Sequence, residues 1–340
     1  MKKFYVSSLD KDDIAFDYSN DFFRLVLQKL EYEVIDSNTE ITSILSAIAS
    51  RDQVHIEMGL GRNKEWELLQ IMLNANYLNV AVTLHHPEWF RETAKNGKNS
   101  LQAALAGLYY HTLGKSHIAE KYLKKIKNIY VLTKTEKERL ESFFKIDNVR
   151  YLPRIVNPIL TEQFTYKGSN IFCQSASLEK EGIYYLLRLH KNLQISFPDT
   201  KLFLAISKRV SPEKIESFQR KYNRNVVCIQ LPGKERINNM LKECAFTIIV
   251  EEERNLLVER SLLYYFQQGQ IILTGKKEGL TDLFCDNSAA LHLSGNLQQD
   301  VAVFASLLSD PSALMAARGN ISRYLKKCHS FEHISQQLNK

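Results

Sequence analysis

Short apolar runs alternate along the chain with longer stretches whose apolar residues recur every three or four positions. In the first half, "KKFYVSSL", "YEVID", "QVHIEMG", "LNVAVTLHH" and "NIYVLT" read as strands. The stretches "NDFFRLVLQKL", "NKEWELLQIMLNA", "SLQAALAGLYYHTL", "HIAEKYLKKIK" and "TEKERLESFF" carry helical spacing. In the last of these, Thr135 and Glu138 stand in capping-box spacing, which predicts a helix start there. Strand–helix alternation of this kind predicts a mostly parallel sheet covered on both faces.

The rhythm pauses at "RYLPRIVNPILTEQFTYKGSN", where two prolines and a polar run predict a linker. It then restarts with strands "IFCQSA", "KLFLAIS", "NVVCIQL", "FTIIV" and "QIILT". Helices "EGIYYLLRLHKNLQISF", "PEKIESFQRKY", "KERINNMLKEC", "DVAVFASLLS", "SALMAARGNISRYLKKC" and "SFEHISQQLNK" complete the half. The chain therefore reads as two doubly wound α/β domains, 1–156 and 169–318, joined by a linker at 157–168. Such a pair predicts a cleft between the domains, with ligands at the carboxyl ends of the strands.

Bulk properties narrow the class. At 340 residues the chain exceeds one ordinary core, and 44% hydrophobic with 24% charged residues is a globular composition. No apolar run approaches the roughly 20 residues of a membrane-spanning helix, and no long apolar stretch follows Lys2 and Lys3 as in a signal peptide. Cys173, Cys228, Cys244, Cys285 and Cys328 form no C-x-x-C pair, which predicts reduced thiols and a cytoplasmic setting without a zinc site. The net charge of +7 is concentrated locally. Between Lys115 and Arg139 lie Lys121, Lys124, Lys125, Lys127, Lys134 and Lys137, interleaved with Tyr122 and Tyr130. That window suits an anionic membrane face or a phosphorylated substrate, the alternative being a solvated helix face. No helix-turn-helix, zinc-finger or RNA-binding signature is present, so nucleic acid is not an expected partner.

Four stretches carry a family resemblance. "NPILTEQF" has the spacing of a linker signature N-G-V-D-x-x-x-F. "FCQSASLEKEGIYYLLRLHKNL" is similar to a strand–loop–helix written V-G-R-L-x-x-x-K-G. "VVCIQLPGKERINNMLKECAFTIIVEEERNLLVE" follows the order strand, helix, strand, E-x7-E. "HSFEHISQQLNK" resembles a closing helix. Together they resemble the retaining GT-B glycosyltransferases of family four. The resemblance implies two Rossmann-like domains facing a central cleft, an acceptor domain followed by a donor domain. It also implies a helical tail, 319–340, crossing back to the first domain. A nucleotide-sugar donor, a glycan, polysaccharide or lipid-linked acceptor, and no metal are implied as well.

Residue by residue, the resemblance puts His85, with His86 as the alternative, at a strand end facing the donor sugar. It assigns Glu251 to the sugar hydroxyls and Glu259 to the ribose. The diphosphate of the donor needs cations and backbone N–H groups. Here the family's arginine position holds Ser175 or Ala176, and its lysine position holds Glu181 with Lys180 one residue earlier. Lys208 and Arg209, after "LFLAIS", stand in as replacement charge. Counting back from Gly269 without a gap instead puts Leu256 and Tyr264 at the glutamate positions, and a third reading makes Glu251, Glu252 and Glu253 a capped, solvated helix start. Gly59 and Gly61 permit a tight turn that brings Arg62 or Lys64 to an acceptor. Two further functions fit the same fold: a partner or scaffold protein without donor-site activity, and a sugar-nucleotide epimerase of GT-B shape.

Overall fold

The structure is a computed structural model, which describes residues 1–8, 20–58, 63–85, 120–156, 169–175, 177–179, 181–207, 210–222, 225–230, 234–249, 264–275 and 290–339. The chain divides into two compact units, Met1–Ile155 with Phe331–Lys340, and Val156–Ser330.

The first unit is built on six strands, β1 (Lys3–Ser7), β2 (Glu33–Asp36), β3 (Gln53–Met58), β4 (Val80–Leu84), β5 (Asn128–Val131) and β6 (Val149–Tyr151), in the order β2-β1-β3-β4-β5-β6. Every neighbouring pair is parallel. The two-residue period of a strand separates the faces of this sheet. Phe4, Val6, Val54, Ile56, Met58, Val80, Val82, Leu84, Ile129 and Val131 make one wholly apolar face. Helices Ile41–Ala47, Asn63–Asn74 and Lys134–Phe144 cover it through Ile44, Leu68, Leu69, Met72, Leu140 and Phe144. The opposite face carries Tyr5, Ala81, Tyr130 and Leu132, packed under Phe22, Val26 and Leu27 and under Ile334 of the closing helix Phe331–Leu338. Ile334 is fully buried there, which stabilises the return of the chain by about 1.5–3 kcal/mol. The Lys29 ammonium lies 4.8 Å from the centre of the Phe331 ring at the same contact. Of the tail from 319, residues up to His329 continue the helix Pro311–His329 in the second unit, and the return begins at Phe331.

The second unit has β7 (Asn170–Ser175), β8 (Leu202–Ile206), β9 (Val226–Gln230), β10 (Cys244–Ile249), β11 (Ile271–Gly275) and β12 (Ala290–Leu293), all parallel, in the order β12-β11-β10-β7-β8-β9. One cluster runs from β7 through helix Glu181–Leu193 (Ile183, Leu186, Leu189) to Phe304 of helix Leu297–Ser309. Asp300 fastens that helix by accepting from Tyr185 Oη and, at 2.8 Å, from the Ser294 backbone N–H. Cys173, Cys228, Cys244 and Cys328 are buried free thiols. Burial pushes the Cys228 thiol up to about 11 and Cys244 higher still, so both are poor nucleophiles.

One local expectation is corrected and several short elements are added. The strands β6 and β12 and the helix Ile41–Ala47 were not legible, being too short for a periodic signal. The helix expected from Thr135 is capped two residues earlier, where Thr133 Oγ1 accepts from the Glu136 N–H at 3.2 Å. Gly269 terminates a helical turn at φ 67°. Its N–H donates to Phe266 O at 2.9 Å and the Gln270 N–H to Tyr265 O at 3.0 Å, a left-handed C-terminal closure that favours glycine.

Candidate functional site

In an open parallel sheet the order of strands reverses at one point, and the loops leaving the two strands there diverge to opposite faces. In the first unit this point lies between β1 and β3. The polar face of the sheet changes character along it. Tyr5 on β1, His55 and Glu57 on β3, Thr83 on β4 and His85 just after β4 share that face by alternation, and all are at least nine-tenths buried.

Glu57 is 3% exposed and is held from two sides. One carboxylate oxygen accepts from Tyr5 Oη at 2.7 Å, and the other is hydrogen-bonded to His85 Nε2. A buried carboxylate without such partners costs several kcal/mol, and these charge-assisted bonds offset that cost. The Glu57 carboxylate can only accept, so His85 donates to it from Nε2. His85 thus sits at the carboxyl end of β4 with its tautomer and orientation set by Glu57.

His55 completes the cluster. Its Nε2 lies 2.7 Å from Thr83 Oγ1 and 4.0 Å from Glu57 Oε2. The ring stacks on Tyr130 with centroids 5.5 Å apart and meets Tyr5 edge-on at 5.6 Å. Burial drives its pKa down to about 4, the Glu57 charge opposing only in part, so His55 is neutral at pH 7. On helix Asn63–Asn74, Glu65 is buried at the first turn and accepts from Ser37 Oγ at 3.0 Å. Lys64 donates to Asn38 O at 2.7 Å, which ties it to the loop after β2.

The sequence pointed to His85 but not to Glu57 or Tyr5. The signal was present in "QVHIEM": period two puts His55 and Glu57 on the face opposite Val54, Ile56 and Met58, and a charge in the interior of a doubly covered strand needs a partner.

Of the second-unit candidates, Ser175 is 2% exposed. Its hydroxyl donates to Ser177 O at 2.8 Å and accepts from the Ser177 N–H at 3.3 Å, closing the turn after β7 on itself. Lys180, Lys208, Arg209, Glu251 and Glu259, with His86 of the first unit and the loop 59–62, lie outside the described residues. The strands that lead to the five second-unit residues are nevertheless described. Lys180 follows β7, Lys208 and Arg209 follow β8, and Glu251 and Glu259 follow β10; β10, β7 and β8 are neighbours, and the switch point of this sheet falls between β10 and β7. Tyr264, the gapless alternative, packs against the hydrophobic core, and burial raises its pKa.

No protein-family profile and no curated protein sequence matches the chain. Solved structures do. The Anabaena protein HepE, in complex with UDP, superposes with a TM-score of 0.64 at 10% identity, over 100% of this chain and 98% of its own. Sucrose-phosphate synthase from Thermosynechococcus elongatus gives 0.60 at 11% identity over 100% and 98%. The fold is GT-B. The GT-B glycosyltransferase TarM gives a TM-score of 0.59 at 14% identity over 88% of the chain, which spans only 56% of TarM. At these identities the GT-B likeness concerns architecture, and both six-stranded parallel sheets belong to it.

Proposed function

We propose that this protein transfers a sugar from a nucleotide-sugar donor to a glycan, polysaccharide or lipid-linked acceptor, with retention of configuration and without a metal. The observation that carries the reading is His85, held by buried Glu57 at the carboxyl end of β4 in a GT-B fold. A retaining transfer develops positive charge on the sugar ring and negative charge on the departing diphosphate. In this reading His85 bonds a donor-sugar hydroxyl, with Glu57 as its positioning residue and His86 beside it. Glu251 takes further sugar hydroxyls and Glu259 the ribose. Lys180, Lys208 and Arg209 supply the charge that Ser175 cannot. Support comes from the strand order, which starts the segments bearing those five residues from three adjacent carboxyl ends, and from HepE, a neighbour of nearly equal length that binds UDP.

The test is a thermal-shift series with nucleoside diphosphates. A ligand at 100 times its dissociation constant stabilises by about 2.7 kcal/mol. Nucleotide sugars that carry the responding nucleoside diphosphate are then supplied with candidate acceptors, and the anomeric configuration of the product is read by NMR. A β-linked product from an α-linked donor would overturn retention.

A second reading, a GT-B partner protein without donor-site activity, is favoured by one observation. The position expected to hold a diphosphate-binding arginine is a serine whose hydroxyl is engaged in its own turn. Absence of any response to nucleoside diphosphates would select that reading.

A further inference from the structure

The amino-terminal edge of the first sheet, opposite His85, forms a partly open pocket of about 200 Å3 with Lys127 on its exposed rim. That is room for several water molecules. All of its walls belong to the first unit. The same face of the sheet that carries Glu57 and His85 at one end supplies Gln53, Asn79 and Asn128 at the starts of β3, β4 and β5. Leu338 of the closing helix forms part of the rim, and Tyr130 Oη donates to its carbonyl at 3.4 Å.

The charge in this cavity has one sign. Lys127 and Arg150 both line it, and no aspartate or glutamate does. Among the described residues neither cation is in an ion pair; Lys127 Nζ reaches only Asn79 Oδ1, at 3.5 Å. The two phenols do not supply a counter-charge. Burial chiefly, and then Tyr130, raise Tyr32 to about 12. Burial raises Tyr130 too, against the opposing pull of Arg150. Both are neutral hydrogen-bonding groups at pH 7, and Tyr32 Oη already accepts from Gln53 Nε2 at 2.6 Å. Two cations facing one concavity repel each other, and an anion between them reverses that cost. A guanidinium and an ammonium together suit phosphate oxygens, while amides and phenols suit hydroxyl groups.

We propose that this cavity is a binding site for a small phosphorylated polyol, separate from the proposed donor site. Lys127 and Arg150 take the phosphate. Asn79, Asn128 and Gln53 take the hydroxyls, and the phenol ring of Tyr130 forms an aromatic wall. His55 of the Glu57 cluster forms part of the wall, while the residues assigned here to the ligand, Lys127, Arg150, Asn79, Asn128, Gln53 and Tyr130, have no role in the proposed transfer.

The probes are ribose 5-phosphate, inorganic phosphate and ribose, each titrated calorimetrically into the full chain, with UDP absent and then saturating. Ribose 5-phosphate is expected to bind, inorganic phosphate at least tenfold more weakly, and ribose not measurably, with the same result when UDP is present. The double variant Lys127→Gln with Arg150→Gln is expected to lose at least tenfold in affinity for ribose 5-phosphate. Arg150→Lys, which keeps the charge, is expected to retain most of it and serves as the control for folding. No binding of ribose 5-phosphate overturns the proposal, as does displacement by UDP or an undiminished affinity in a folded double variant. Equal affinity for inorganic phosphate and ribose 5-phosphate overturns the polyol part and leaves a simple anion site.

Discussion

Replacing Glu57 by glutamine tests whether this carboxylate sets the state of His85. The side chain keeps its volume in a site where it is 3% exposed, so packing is preserved. The wild-type carboxylate accepts from Tyr5 Oη at 2.7 Å and from His85 Nε2. Each charge-assisted bond contributes about 1.5–3 kcal/mol, against about 0.5–1.5 for a neutral one. The amide oxygen can keep Tyr5, but as a neutral bond. The amide nitrogen then faces His85 and must donate, which requires Nε2 without its proton. A ring that carries one proton then holds it on Nδ1 instead of Nε2. A stability loss of about 1–3 kcal/mol follows from the weakened bonds. If His85 bonds the donor sugar in the transition state, turnover falls about ten- to hundredfold, equivalent to about 1.4–2.7 kcal/mol, with little change in KM. Nitrogen-15 chemical shifts of the labelled ring report which nitrogen is protonated, and donor turnover is measured on the same samples. An unchanged tautomer with unchanged turnover would refute the positioning role. A moved proton with unchanged turnover would keep the geometry and remove His85 from the reaction.

Other outcomes are expected. His55 is neutral when folded, with a pKa of about 4, and near 6.5 when unfolded. The unfolded chain therefore binds the extra proton between those values, so this stability is fully present above pH 6.5 and is lost as pH falls toward 4, by on the order of 3 kcal/mol. His55→Gln is expected to flatten the pH dependence of unfolding in that window, measured by urea titration; an unchanged slope counts against a buried neutral imidazole. Glu251→Gln is expected to lower turnover about ten- to hundredfold with nucleotide affinity kept. Glu259→Gln is expected to weaken nucleotide binding, with Glu252→Gln and Glu253→Gln near neutral; identical behaviour of all four would mark the acidic run as a helix start. Gly269→Ala, at φ 67°, is expected to cost about 1–2 kcal/mol in a thermal melt. Exposed Lys121, Lys124 and Lys125 changed to Glu are expected to abolish sedimentation with anionic vesicles at low salt, since each cation near such a surface contributes about 1 kcal/mol.

The hydrophobic pattern alone was enough for two parallel-sheet domains. Each strand's apolar run is a property of consecutive residues, and the helices between them repeat with a local period. His85 could be singled out as a candidate because a histidine at a strand end is itself a local feature. Chain-neighbour information could not supply the partners. Glu57 and His85 are 28 residues apart and Tyr5 and Glu57 are 52 apart. They meet only because β1 and β4 both pair with β3, in a register that the three strands fix jointly. The cavity at the other end of that face arises in the same way, from the starts of three strands and a closing helix about 200 residues further along the chain. The brief strands β6 and β12 owe their conformation to pairing with β5 and β11 rather than to their own few residues. Period two determines which side chains share a face. Which of them touch is decided by strand order and register, because burial forces a charge such as that of Glu57 to find its partners on whatever strands the tertiary structure sets beside it.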